Sequence, residues 1–220
     1  MKRIFFFAAF FLMTSVAFAQ WEIGIKITPS IAGSRVVAPD NFNFKSLNAK
    51  THFGGGVIAD YFFSENYAFS TGLIYNARGA GVSYSYTTAT GSVIQGSDEF
   101  SIQYLEIPVT LKLYTNDIAT DTKLYFQAGG SLNPRISAKV NNDKLDANDE
   151  KNSKHFNFMD ISALIGAGAE KQVGESTKVF AGFSYHRGLF DIDNYYEDQF
   201  NSKNIEIKNS YFALDLGMKF

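Results

Sequence analysis

The sequence contains no cysteine, four prolines, three histidines and one tryptophan in 220 residues. Each scarcity excludes something. Without cysteine there is no disulfide framework and no lipid anchor carried on a thiol. With so little proline and no Pro/Ser-rich joint, nothing divides the chain, which reads as one domain. Basic residues are not in excess, since 20 Lys+Arg face 22 Asp+Glu, so nothing invites nucleic acid. Beyond residue 20 no apolar run approaches the roughly 20 residues a membrane-spanning helix requires. Amphipathic helical spacing is equally scarce.

What is present begins with a leader. "MKRIFFFAAFFLMTSVAFAQ" carries Lys2 and Arg3, an apolar run from Ile4, and Ala17 and Ala19 flanking Phe18. That is the A-x-A pattern of a secretory signal peptide, with cleavage after Ala19. The expected division is therefore 1–19 as signal peptide and 20–220 as the mature domain. Removing Lys2 and Arg3 leaves 18 bases against 22 acids, a net charge of −4.

Period-2 alternation runs along the whole mature chain. In "WEIGIKI" one face is Trp21, Ile23, Ile25 and Ile27, opposed by Glu22, Gly24 and Lys26. In "QYLEIPVTLKLY" Leu105, Ile107, Val109, Leu111 and Leu113 oppose Tyr104, Glu106, Pro108, Thr110 and Lys112. In "YFALDLGMKF" Phe212, Leu214, Leu216, Met218 and Phe220 oppose Tyr211, Ala213, Asp215, Gly217 and Lys219. The same pattern recurs in 51–63, 67–80, 122–138, 156–171 and 176–189. About eight strands of about ten residues or more result, the length of a tilted transmembrane strand.

Which face points outward decides between a membrane barrel and a soluble barrel. The polar face also carries glycines, including Gly54, Gly56, Gly72, Gly129, Gly166, Gly168, Gly182 and Gly217. Small residues suit the lumen of an eight-stranded barrel, which is only just wide enough for its side chains. On a solvated exterior they would only weaken the strands. The apolar face is therefore turned to lipid, and the fold class is all-β: a closed antiparallel transmembrane β-barrel, an up-and-down meander of about eight strands. The connections agree, since long ones (31–50, 81–99, 139–155, 190–206) alternate with short ones (63–67, 115–121, 173–176), as external loops and periplasmic turns do.

Strand parity then places acids and bases together in the lumen: Glu22, Asp60, Glu106, Asp160, Glu170 and Asp215 with Lys26, Arg78, Lys112, Lys123, Arg135, Lys178 and Lys219. An unpaired buried charge costs several kcal/mol, so these are read as a salt-bridged plug. Pro108 cannot donate to a ladder, so a bulge is expected beside it. Catalysis is not expected and no cofactor or metal is implied. Neither G-x-S-x-G nor H-E-x-x-H occurs. Ser184 and His186 share a face, but strand rise separates such neighbours by some 6–7 Å. His186 is accordingly read as a lumen or interface histidine. Asp191, Asp193 and Asn194 lack the rest of a calcium loop. The loop at 190–206 mixes acids with Phe190, Tyr195, Tyr196 and Phe200, a composition shared by recognition surfaces and headgroup girdles. The loop at 139–155 reads as a solvated segment, and the Tyr/Ser/Thr-rich 81–99 as strands extended beyond the bilayer.

"YLEIPVTLKLY" (104–114), with a proline inside a good strand, resembles the signature strand of the PorT-like outer-membrane β-barrel family. The resemblance continues through "STGLIYNARG" (70–79), "FQAGGSLNPRISAKV" (126–140), "ISALIGAGAEKQV" (161–173) and "FSYHRGLFDI" (183–192). It implies a Gram-negative outer membrane, lipid as surroundings, and an envelope or secretion protein as partner. The terminal Phe220 is similar to the aromatic such proteins present to the barrel-assembly machinery. Three functions stand open: a non-enzymatic envelope barrel, an accessory of type IX secretion or gliding, and a lipid-modifying enzyme.

Overall fold

The structure is a computed structural model, and it describes residues 20–39, 42–87, 90–146, 149–196 and 204–220. The signal-peptide residues Ala17 and Ala19 lie outside the described residues. Eight strands form a ring: β1 (Trp21–Val37), β3 (Lys50–Ser64), β4 (Tyr67–Thr87), β5 (Val93–Tyr114), β6 (Thr122–Val140), β7 (Met159–Gln172), β8 (Lys178–Gly188) and β9 (Glu206–Lys219). A two-residue strand, β2 (Lys45–Ser46), pairs with β4 where β3 has ended. Within the ring every pairing is antiparallel between consecutive members of the eight, and β9 closes on β1 through Gly24↔Lys219 to Val37↔Glu206. Phe220 completes the seam, its N–H donating to the Ile23 carbonyl at 2.8 Å.

Short turns and long connections alternate around the ring, and in outer-membrane barrels the short turns are periplasmic. The 81–99 segment is mostly strand, because β4 and β5 run on paired as far as Thr87↔Val93. β6 leaves through a two-residue hairpin turn, Asn141 and Asn142, both at positive φ (50° and 71°), between the paired Val140 and Asp143. Asparagine tolerates that left-handed backbone better than most residues do.

Along the barrel wall the apolar residues face out. Ile25, Leu111, Phe183 and Phe212 are exposed, the last two by 72% and 66%. A surface of this kind is stable only against lipid. Inside, space is tight. A Cβ on Gly168 would lie 2.6 Å from the Tyr125 hydroxyl, and one on Gly182 would collide with the same group, so Tyr125 crosses the lumen over both glycines.

Above the wall the polarity inverts. On β5 the inward residues change from Glu106, Thr110 and Lys112 to Tyr104, Ile102 and Phe100. The outward residues change from Leu105 and Leu111 to Gln103, Ser101 and Glu99. Phe100 and Ile102 join Ala80 and Val82 of β4, Ala138 of β6, and Phe156, Ile192, Tyr196 and Ile205 from the loops in one buried apolar cluster. This cap closes the outer mouth.

The expected bulge beside Pro108 is corrected by the register. Pro108 pairs with Ser131 of β6 without a shift. Toward β4 the pairs Thr71↔Val109 and Ile74↔Glu106 share one register, and only the two pairs between them are missing. The lost N–H is absorbed as a gap in the ladder, not as an extra residue. The bulge lies higher, where Gln103↔Ser137 gives way to Tyr104↔Arg135. It changes the inward positions of β6 from odd (Asn133) to even (Ala138) at the level where polarity inverts.

Candidate functional site: a filled lumen beneath a closed mouth

At the periplasmic end Lys219 of β9 stands among three carboxylates, 2.7 Å from Asp60 and 3.3 Å from Glu22, and in contact with Glu170. Lys112 meets Asp60 at 2.9 Å, and Lys178 contacts Glu22 and lies 3.6 Å from Glu170. The Ser70 hydroxyl donates to Asp60 at 2.5 Å, and the Lys219 ammonium donates to the Tyr114 hydroxyl at 3.0 Å. Three lysines thus meet three acids drawn from five strands, β1, β3, β5, β7 and β8, around β9. Above them Lys26 pairs with Asp215 at 3.0 Å.

The external cluster is built on Arg78 of β4. Its guanidinium lies 2.6 Å from Glu106 and 3.3 Å from Asp160, and donates to the Asn133 amide oxygen at 2.8 Å. It also packs over the Tyr211 and Tyr104 rings, 4.5 and 5.1 Å from their centroids. Asn209 donates to Asp160, and Asn76 to Glu106. A planar fork with several donors suits such a crowded carboxylate site better than an ammonium does.

Of the thirteen charges that strand parity puts in the lumen, eleven occur in these pairs. Lys123 and Arg135 have no carboxylate partner among the described residues. Lys123 sits at the periplasmic rim in a polar recess with Asp117, Asp121 and Gln172. Arg135 donates to the Asn157 carbonyl at 3.3 Å, because the bulge lifts it out of the odd-numbered lumen series. Parity put Tyr104 and Tyr211 on the polar face without a role in the charge network, and passed over the amides Asn76, Asn133 and Asn209. Their signal was the same alternation, as in Asn76 two residues before Arg78.

Ser184 and His186 correct the estimate taken from strand rise. The Ser184 hydroxyl lies 3.1 Å from His186 Nε2, and Glu106 and the Tyr211 hydroxyl lie 3.4 and 2.7 Å from Nδ1. Backbone spacing fixes the Cα atoms, whereas side chains on one face lean together. With Tyr211 donating to Glu106 at 2.7 Å, Nδ1 carries the hydrogen and Nε2 accepts from Ser184. A nucleophile, a base and an orienting acid are therefore within reach. All three are at least 97% buried in a filled lumen, with Tyr211 stacked on the imidazole at 4.1 Å, so no substrate carbonyl can approach.

At the outer mouth two acids of the 190–206 loop, Asp191 and Asp193, hold the backbone. Asp191 accepts from the N–H of Asp193 and Ile207, and Asp193 from those of Tyr195 and Tyr196. No metal-holding group of three ligands occurs among the described residues. Glu197, Asp198 and Phe200 of that loop lie outside them. Beside it the Tyr196 hydroxyl donates to Asp98 at 2.7 Å, and burial, reinforced by that carboxylate, holds the phenol well above its usual range.

The comparisons with known proteins follow this architecture. Residues 18–194 match the family model described as outer membrane protein beta-barrel domain. Among solved structures, Neisserial surface protein A superposes over 91% of this chain and 97% of its own with 15% identity and a TM-score of 0.53. OprG of Pseudomonas aeruginosa covers 91% and 96% at 12% identity and a TM-score of 0.47. Ail, the attachment invasion locus protein of Yersinia pestis, covers 91% and 99% at 14% identity and a TM-score of 0.41. At 15% identity the likeness to the neisserial protein is one of fold. No curated protein matches the sequence. The match over most of the length, on a closed ring of eight strands with its apolar face outward, makes this chain a member of the outer membrane protein beta-barrel domain family.

Proposed function

We propose that this protein is a non-enzymatic integral outer-membrane barrel, exported by the 1–19 signal peptide, whose 20–220 domain is closed to diffusion and acts in envelope structure or partner binding through its loops. The observation that carries this reading is the filling of the lumen at two levels. Ion pairs occupy the membrane-embedded part, and the apolar cap occupies the mouth. An eight-stranded barrel has no width to spare around such contents.

The test is conductance. The purified protein in planar bilayers is expected to pass no current above the lipid baseline, and stable channel openings would defeat the closed-lumen reading. Crosslinking in outer membranes, followed by recovery through a tag near Asn148, then separates a partner-binding role from a purely structural one. The PorT-like strand at 104–114 supports a second reading, an accessory of type IX secretion or gliding. Loss of secreted cargo on deleting the gene, with the outer membrane otherwise intact, is the result that reading requires.

A further inference from the structure

Between the start of β5, the turn after β6 and the loop before β9 lies a cavity of about 240 Å³ that opens to the outside. Its walls are Phe100, Phe156, Tyr195 and Tyr196, with Val140 and Leu145. Its polar lining includes Asp98 and Asp143, along with Asp146, Asp193 and His155, whose Nε2 lies 3.2 Å from Asp146, and no lysine or arginine among the described residues. Asp98 accepts from neutral donors, the Tyr196 hydroxyl at 2.7 Å and the Asn141 amide at 2.9 Å, so its carboxylate is oriented and makes no ion pair among the described residues. The Asn141–Asn142 turn fixes this arrangement, because the Asn141 amide oxygen also accepts from the Glu99 N–H.

We propose that this pocket binds an organic cation, an ammonium on an apolar stem, with the stem between the aromatic walls and the charge facing Asp98 and Asp143. It deepens the loop-binding reading above and rests on it. Aromatic faces and carboxylates both attract a cation, and each contact strengthens as water is displaced. The surroundings already favour positive charge. The Tyr195 phenol is held above its usual value first by burial and then by Asp98, Asp146 and Asp193. A volume of this size admits a single ring or short chain, below the range of drug-sized sites. An ammonium offers the same chemistry free or at the end of a lysine side chain, and the probes separate those sources.

The experiment is a ¹⁹F-NMR titration of the full barrel in lipid nanodiscs with 4-fluorobenzylammonium, with 4-fluorobenzyl alcohol as its neutral counterpart. Nα-acetyl-lysine amide then competes as the peptide-borne form. The ammonium is expected to broaden at millimolar concentration, less so at high salt, and the alcohol not to. In Asp98→Asn/Asp143→Asn the affinity is expected to fall by roughly tenfold or more, the worth of a charge-assisted contact. Asp143→Asn alone provides the folding control, since its side chain is exposed and makes no ion pair among the described residues; a smaller loss is expected there. Displacement by the lysine amide assigns the site to a peptide-borne cation, and its failure to displace assigns a free amine. Equal binding of the alcohol, unchanged affinity in the double variant, or no broadening at all overturns the proposal. A conducting barrel would overturn the closed-lumen reading and leave this titration as it stands.

Discussion

The membrane-embedded wall and the external cap are built from the same strands with opposite rules. In the wall, β5 points Glu106 and Lys112 inward and Val109 and Leu111 outward. Some residues earlier on the same strand, Phe100 and Ile102 point inward and Glu99 and Ser101 outward. Pairing with β4 continues through the change in one register, while the ladder to β6 shifts there by the bulge at Gln103/Tyr104. The difference lies in the surroundings, lipid in one zone and water in the other, and alternation serves whichever face is apolar. The wall holds its interior by charge compensation, whereas the cap holds its own by apolar burial, as a soluble domain does.

The sharpest break should come from removing one charge from the lumen. Lys219→Met leaves Glu22, Asp60 and Glu170 short of their shared cation, and the barrel is expected to lose about 3–5 kcal/mol. Urea titration of the heat-modifiable gel band measures it, and wild-type stability would mean that the lumen is wet enough to screen its charges. Next comes the outward face of β5. Val109→Arg should cost roughly 2–4 kcal/mol at mid-bilayer depth. Ser97→Arg, on the same face of the same strand in the cap, should stay within about 0.5 kcal/mol. Equal costs in the two variants would erase the distinction between the zones. Ile102→Ala should cost about 2–4 kcal/mol in the cap. Protease cutting of the outer loops should rise while the heat-modifiable band persists. Joint loss of cap and band would show that the two zones fold as one unit. The smallest effect is expected at Lys50→Ala, which removes an exposed pair with Glu99 worth under about 1 kcal/mol.

Much of the wall was legible because one rule, period-2 alternation between lipid and lumen, governs it. Glu22, Asp60, Arg78 and Lys219 were found by parity alone. Parity fails where the ladder does, which is why Arg135, placed in the lumen by counting, follows the bulge and meets a carbonyl. It fails again where side chains lean, as Ser184 and His186 do. The cap was written in the same alternation. Phe100, Ile102 and Tyr104 keep step with Glu106, but an inward apolar run within a lumen-facing series reads as a loop unless a change of solvent is allowed for. Asn76, Asn133 and Asn209 were missed because charge was the label being followed.

The seam between β1 and β9 joins Gly24 to Lys219, residues 195 positions apart in the sequence. Contacts at such separation form last and carry the largest loop-closure cost, so the ring is slow to complete. Lys219 comes to rest between Glu22 on the first strand and Glu170 on the sixth of the ring only when that seam has formed. Until then an unfinished ring holds acids without their cation and an open edge, and both penalise stopping short. The lysine near the end of β9 therefore acts as a latch, its pairs with Glu22 and Asp60 across the seam forming only when the ring closes.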